Sequence, residues 1–151
     1  MGVSGLAWAA TSWRARAEEG AGAALLPRGF RENALETVRA VAMSVGYTGG
    51  DAGERRGREE SAGKAAKAFI QTWGGDEAVK GSAPFASVRR ALEALAGFYR
   101  ANGPRAELDV DARVAVLRDL RDVETYFGAS EGDDSIRGLL ARDGEEKKAK
   151  K

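Results

Sequence analysis

The chain has 151 residues, with 24 lysines or arginines against 23 aspartates or glutamates, and it contains no histidine or cysteine. This length suits one domain with a single core. The formal net charge of +1 argues against a nucleic-acid surface, which usually carries a clear basic excess. The missing cysteines exclude disulfide and thiolate chemistry, and the missing histidines remove the commonest general base and metal ligand. No apolar run approaches the roughly 18 to 20 residues that cross a bilayer, so we expect a soluble chain.

The first 28 residues are expected to form an N-terminal arm outside the folded domain. Residues 5–13 are mildly apolar, and residues 14–17 end in an A-x-A pattern that two glutamates follow. This pattern is similar to the end of a signal or thylakoid-transfer peptide, whose peptidase needs small residues at two recognition positions. The alternative is a flexible Ala/Gly arm, with residues 20–24 as a hinge before Pro27. Whether residues 1–17 stay in the mature protein is open.

Apolar residues at three- and four-residue spacing predict the first two amphipathic helices. The first is expected at about residues 30–45, with an apolar face of Ala34, Leu35, Val38, Val41, Ala42 and Val45. The second is expected at about residues 58–73, with an apolar face of Ala62, Ala66, Phe69, Ile70 and Trp73. Glycine-rich segments after each helix predict where it ends, because glycine leaves helical geometry easily.

The third helix is expected at residues 82–101, with Ser82 as an N-cap that accepts a backbone hydrogen bond and Pro84 in the first turn. Its apolar face consists of Phe85, Val88, Leu92, Leu95, Ala96 and Tyr99. We expect Leu92 and Leu95 at the centre of the core. Residues 102–104, with the sequence Asn-Gly-Pro, predict its end.

The fourth helix is expected to begin after Asp109 as cap and to run to Phe127. Its interior positions are Val116, Leu120, Val123 and Phe127, with Leu117 at the border. Arg118, Asp122 and Thr125 are expected to face solvent. Since no segment shows sustained strand alternation, all four predicted elements are helical.

Four amphipathic helices joined by mostly short loops predict an all-α fold: an antiparallel up-down-up-down four-helix bundle with extended N- and C-terminal arms. The expected boundaries are an arm at 1–28, the bundle at 29–128 and a C-terminal extension at 129–151. Residues 46–57 form the longest predicted connection. Within the extension, residues 133–142 are a candidate short helix with Ile136, Leu139 and Leu140 on its apolar side, and the tail EEKKAKK is too charged to be buried.

No catalytic, cofactor-binding or metal site is predicted, and we expect the protein not to be an enzyme. Glu93 and Glu124 lie near the borders of apolar faces, but so do Arg89 and Arg113, which favours ion pairs across the third and fourth helices over an acid–base pair. Residues 46–57 lack the G-K-[ST] end and the preceding strand of a P-loop. Residues 131–134 are acidic but lack the alternating ligand spacing of an EF-hand.

The sequence DEAVKGSAPFASVRRALEALAGFYRANGPR, at residues 76–105, resembles the photosystem II assembly and repair family Psb-twenty-seven. The matching positions are Trp73, Asp76, Glu77, Val79, Gly81, Phe85, Arg89, Ala91, Leu92, residues 94–97, Tyr99, Arg105, Leu120, Val123 and Glu124. Upstream, residues 30–33 with Leu35 are similar to the opening of the family's first helix, although Phe30 and Asn33 replace a tyrosine and an aspartate. The resemblance covers about residues 30–127.

Three positions depart from the family pattern. Gly74 and Gly75 replace basic residues, and Phe98 replaces a histidine. The cysteine that anchors bacterial members to lipid is absent, so we expect no lipoprotein anchor.

The resemblance implies a non-enzymatic photosynthesis protein of the chloroplast thylakoid lumen. Such a protein binds the photosystem II core near the luminal loop of PsbC during assembly or repair, before the oxygen-evolving manganese cluster is complete. It implies a peripheral monomer that carries no cofactor or metal. Two other classes stay open: a permanently bound extrinsic subunit of an algal photosystem II, and a helical-bundle enzyme or ligand carrier.

Six charged residues are candidates for contact with this partner. They are Arg90 and Arg100 on the third helix, Arg105 in the turn at 102–108, and Arg118, Arg121 and Asp122 on the fourth helix. Guanidinium groups pair bidentately with carboxylates, so we predict a docking face made by these two helices and their turn. The alternative is that these arginines only solvate the bundle.

Overall fold

The computed structural model describes residues 26–46, 49–129, 136 and 139–141, and these residues contain helices and no β-strand. The helices are α1 (Phe30–Gly46), α2 (Ala52–Trp73), α3 (Glu77–Lys80), α4 (Ala83–Asn102) and α5 (Val110–Tyr126). The prediction of an all-α chain is confirmed over these residues. The N-terminal arm before residue 26 and the charged tail after residue 141 lie outside the described residues.

Helix α1 lies at the centre of the packing, since it contacts α2, α4 and α5, while α4 packs along α5. All six apolar residues predicted for its inner face are buried, together with Phe30 and Thr37. The Phe30 ring contacts three other rings: Phe69 at 5.9 Å, Trp73 at 5.3 Å and Phe127 at 6.1 Å between centroids. The start of α1 is therefore joined to the ends of α2 and α5 by one aromatic cluster.

Helix α2 begins six residues earlier than the sequence predicts. The Asp51 carboxylate accepts the Glu54 N–H at 2.8 Å, and the Glu54 carboxylate accepts the Asp51 N–H at 3.3 Å, which is a capping box. Gly53 and Gly57 suggested a loop, because each glycine in a helix costs about 1 kcal/mol relative to alanine. The reciprocal cap offsets part of that cost. Because α2 begins at Ala52, the predicted long connection at 46–57 is wrong.

We expect Asp51→Ala to lower the free energy of unfolding by about 1 kcal/mol, because it leaves first-turn N–H groups of α2 without an acceptor. Urea unfolding followed by circular dichroism measures this. Glu60→Ala is the matched control, since Glu60 is exposed in the same helix and caps nothing. Equal stability of the two variants would mean that α2 begins nearer Arg58.

The short helix α3 was not predicted. Asp76 begins it, since its Oδ1 accepts the N–H groups of Ala78 at 3.0 Å and Val79 at 3.2 Å. Ser82 does occupy the N-cap position of α4, but its hydroxyl donates to the Val79 carbonyl at 2.6 Å and accepts no N–H of α4. The predicted role of the Ser82 side chain is therefore wrong. Its hydroxyl instead links the start of α4 to α3 through this hydrogen bond.

The buried face of α4 is also displaced from the prediction. Pro84, Phe85, Ser87, Val88 and Ala91 are buried, whereas Leu92 and Leu95 are half-buried and Ala96 is exposed. Three of the four α2 residues that line the same cavity as Leu92 and Leu95 are small (Ala62, Gly63 and Ala66) and the fourth is the exposed Glu59, so α2 leaves these leucines partly uncovered. The expectation that Leu92 and Leu95 lie at the centre of the core is wrong.

Two further apolar positions differ from the predicted faces. Ile70 on α2 is 39% exposed, although the sequence places it on the buried face. Leu117 on α5 is fully buried and belongs to the core, although the sequence places it at the border. The other predicted interior residues of α5 are buried or packed against the core, and Asp109 caps the helix by accepting the Ala112 N–H at 2.7 Å.

Part of the C-terminal extension packs on the core. Ile136 and residues 139–141 are helical, and Ile136 and Leu139 are buried in the same apolar cluster as α1 and α5. A Cβ atom added at Gly46 would lie 2.9 Å from Leu139 Cδ1, so glycine at the end of α1 permits this close approach. The predicted apolar side of this segment is thus in contact with the core at Ile136 and Leu139.

Candidate protein-docking face

Helices α4 and α5 place the six candidate residues on the surface. Arg90, Arg100, Arg105, Arg118, Arg121 and Asp122 are all exposed. They lie on two helices that pack along each other and on the short connection between them. Exposure makes each side chain available to a partner, as a docking face requires.

The candidates fall into two groups along the helices. Arg90 Nε lies 3.4 Å from Asp119 Oδ1, which brings the first half of α4 beside the second half of α5. Arg118, Arg121 and Asp122 lie close to Asp119 in sequence and share one side of α5, by their three- and four-residue spacing. Arg100 is ten residues beyond Arg90, which corresponds to roughly 15 Å along α4, and Arg105 follows in the connection. The two groups therefore span most of the length of the helix pair.

Arg90 makes two side-chain contacts with described residues. Besides Asp119, its guanidinium donates to the Ser87 hydroxyl at 3.2 Å. The Arg90 side chain is 58% exposed and that of Asp119 is 27% exposed. An ion pair this open to solvent contributes about 0–1 kcal/mol to stability, so it orients Arg90 more than it holds the helices together.

Among the described residues, the contacts found at Glu93 and Glu124 differ from the predicted ion pairs across the third and fourth helices. Arg89 Nε donates to Glu93 Oε1 at 2.9 Å within α4, four residues apart, and both side chains are exposed. Glu124 is only 2% exposed and accepts the backbone N–H of Ile136 at 3.3 Å. An ion pair between α4 and α5 among the described residues is Arg90 with Asp119, which the sequence does not single out.

Glu124 is the buried carboxyl group among the described residues. Burial raises the pKa of Glu124 above its ordinary value of 4.5, while the hydrogen bond from Ile136 and the positive charges of Arg39 and Arg121 oppose this rise. The hydrogen bond from Ile136 links α5 to the C-terminal segment, since Ile136 lies 12 residues after Glu124 in the sequence. Its sequence context gave no signal for this contact, since Ile136 lies beyond a glycine- and aspartate-rich connection.

We expect wild-type stability to fall, relative to Glu124→Gln, as the pH rises from about 4.5 through the folded-state pKa of Glu124. A carboxyl whose pKa is higher in the folded state stabilises the fold fully below its unfolded pKa, and this contribution is lost when the buried group ionises. Urea unfolding at pH 5 and pH 8 measures the difference, with the exposed Glu93→Gln as control. Parallel pH profiles for wild type and Glu124→Gln would contradict this assignment.

The described residues contain no group of carboxylates placed to hold a metal ion together. None of the described helices has the length and apolar character that a membrane span needs.

Comparison with known proteins identifies related sequences. A family model described as Photosystem II Pbs27 matches residues 3–127, which include all five helices α1 to α5. An Arabidopsis thaliana protein named Photosystem II D1 precursor processing protein PSB27-H2, chloroplastic, is 26% identical over 102 residues. The matched region covers 68% of this chain and 51% of that protein, so the chain spans about half the length of this relative. No solved structure matches significantly.

Proposed function

The chain belongs to the photosystem II Pbs27 family, as its sequence resemblance suggested, and from this we propose that it is a non-enzymatic photosystem II assembly and repair protein. It binds the core complex near the luminal loop of PsbC and supports maturation of the oxygen-evolving complex. The observation that carries this proposal is the family match over residues 3–127. The relative's name, which refers to processing of the D1 precursor, supports a role before the complex is mature.

The proposed location is the thylakoid lumen of the chloroplast, where the protein associates peripherally with photosystem II as a monomer. The word "chloroplastic" in the name of the Arabidopsis relative supports the organelle. A role without catalysis is supported by the composition, which offers neither histidine nor cysteine for acid–base or nucleophilic chemistry.

The proposed partner-binding surface is the docking face of Arg90, Arg100, Arg105, Arg118, Arg121 and Asp122. Its support is the exposure of all six side chains on adjacent helices. Five arginines and one aspartate favour a partner surface that carries carboxylates, because guanidinium groups bind carboxylates in bidentate geometry. Charges at the rim of an interface act mainly through encounter rate and salt sensitivity.

The proposed architecture is an antiparallel up-down-up-down bundle at residues 29–128, with an arm at 1–28 and an extension at 129–151. Two contacts support it. The short connection at residues 103–109 joins α4 to α5, which pack along each other, as antiparallel neighbours do. Phe30 at the start of α1 contacts Phe127 directly after α5, as expected for two helices that run in opposite directions.

The function is tested by deleting the gene in the source organism. We expect slower recovery of oxygen evolution after photodamage, while steady photosynthesis in low light is retained. Oxygen evolution after a strong-light pulse measures recovery, and re-expression of the chain is the control. Normal recovery, together with loss of a stoichiometric subunit from mature complexes, would instead support a permanently bound extrinsic subunit.

A further inference from the structure

An apolar groove opens between α1, α2 and α4. Its volume is about 210 Å³, and its apolar lining includes Val41, Val45, Ala62, Ala66, Leu92 and Leu95. An apolar cavity of about 150 Å³ is large enough to hold a benzene-sized molecule. The groove therefore has room for an apolar group of at least that size, and it exposes the two leucines that the core leaves half-buried.

Small side chains on α2 create this space. Ala62, Gly63 and Ala66 line the groove together with the leucines of α4, and the longer α2 side chain in the lining, Glu59, lies where the groove meets a second space. A Cβ atom added at Gly63 would meet no atom within 4 Å. The groove is thus a consequence of residue size along one side of a long helix.

The groove continues into a wider polar cavity of about 920 Å³ at the same end of the helices. The two spaces adjoin, since five residues line both of them: Ser44, Val45, Glu59, Tyr99 and Pro104. Tyr99 lies where the two spaces meet. Burial and the nearby Glu59 charge raise the pKa of its phenol above the ordinary value of 10.0. Tyr99 therefore stays protonated at neutral pH and is available as a hydrogen-bond donor.

The polar cavity has a formal excess of one positive charge, from four arginines against three acidic residues. Its lining contains Arg55, Arg56, Arg105, Arg113 and three acidic residues. Glu107 pairs with Arg55 at 3.5 Å, the Asp109 carboxylate caps α5, and Glu59 lies where this cavity meets the groove. Arg56 and Arg105 form no ion pair with any described residue.

We propose that this site binds a single-chain anionic amphiphile, with its alkyl end in the groove against Leu92 and Leu95 and its anionic head facing Arg56 and Arg105. The apolar groove and the arginines of the polar cavity are complementary to the two ends of such a molecule. Pockets between the helices of a bundle are a common place for ligands that combine apolar burial with a few polar contacts. The ligand chemistry is an alkyl chain joined to an anionic head, which a free fatty acid and an anionic membrane lipid both offer.

The test is a titration of the full chain with decanoate below its micelle concentration, followed by amide chemical shifts in NMR spectra. We expect saturable shifts confined to the residues that line the two connected cavities. Decyltrimethylammonium, which has the same alkyl chain and the opposite charge, should bind about tenfold more weakly or worse, because charge-assisted contacts contribute on this scale. Vesicles with anionic or with zwitterionic headgroups distinguish the two sources of the ligand. If the chain pellets only with anionic vesicles, the ligand is a membrane lipid, and if it pellets with neither kind, the ligand is a free acid.

Matched variants separate the two halves of the site. Ala66→Phe fills the groove and should abolish saturation, whereas Ala68→Phe, on an exposed position of the same helix, should bind like wild type. Arg56→Glu should weaken decanoate binding about tenfold, whereas Lys67→Glu, also exposed on α2, should not. Arg105 is left unchanged because it also belongs to the proposed docking face.

Three results would overturn the proposal. One is the absence of saturable shifts in a wild-type chain whose circular dichroism shows it folded. Another is equal binding by wild type and Ala66→Phe. The third is a wild-type dimer in light scattering that Ala66→Phe converts to a monomer without any decanoate binding, since the groove would then hold a second copy of the chain.

Discussion

Phe30→Ala is expected to lower the free energy of unfolding by about 3–5 kcal/mol, the largest effect we expect from one substitution. The Phe30 ring is fully buried and contacts the rings of Phe69, Trp73 and Phe127, with centroids 5.3 to 6.1 Å apart. Its removal leaves a cavity among three elements, and the aromatic pairs contribute beyond the area that they bury. Phe69 also stacks on Phe85 at 5.7 Å, so the disturbance extends to α4.

Urea unfolding of Phe30→Ala and Leu95→Ala compares the two positions directly. Leu95 is half-buried and borders the open groove, so its truncation removes fewer contacts and adds to an existing space. We expect Leu95→Ala to cost clearly less than Phe30→Ala. If Leu95→Ala were the more damaging variant, the centre of the core would lie on α4, as the sequence alone predicts, and not at the aromatic cluster.

Reversal of three charges on the docking face is expected to slow association with photosystem II about tenfold or more at low salt, because oriented charges steer encounter. The variant is Arg100→Glu/Arg105→Glu/Arg118→Glu, which spans both groups of the face. Arg90 is left unchanged because it already pairs with Asp119. The melting temperature should stay nearly constant, since all three side chains are exposed.

The matched control carries the same change in charge on other elements: Lys64→Glu/Lys67→Glu/Lys80→Glu. These lysines are exposed on α2 and α3, away from the docking face. Surface plasmon resonance with immobilised photosystem II cores gives the association rates. If both variants associated equally slowly, the effect would come from net charge alone. If the arginine variant associated as fast as wild type, this face would be excluded as the docking face.

Sequence periodicity predicted α1 and α5 well because each has one apolar face and a clear boundary. Every predicted face residue of α1 is buried, and Asp109 caps α5 as expected. The sequence places the start of α2 too late because Gly53 and Gly57 indicate a loop, whereas the Asp51–Glu54 capping box begins the helix before them. A capping box has a sequence signature, and Asp51 followed by Glu54 three residues later matches it.

Other features depend on contacts between distant segments, and no local pattern encodes them. Leu92 has the spacing of a core residue, but its exposure depends on the small residues that α2 contributes to the groove. Glu124 is buried because Ile136 and Leu139 pack on the core beside it. The exposure of the five docking residues on α4 and α5 follows from helix faces, whereas the pairing of Arg90 with Asp119 depends on the packing of α4 on α5.

The most direct test of a role in assembly is purification of the tagged full-length chain from its source organism, followed by identification of the photosystem II complexes that accompany it. We predict that the chain is recovered with complexes that contain PsbC and lack a complete manganese cluster. Metal analysis and oxygen evolution of the purified fraction determine its maturation state. Recovery in stoichiometric amounts with oxygen-evolving complexes, or without photosystem II, would contradict that role.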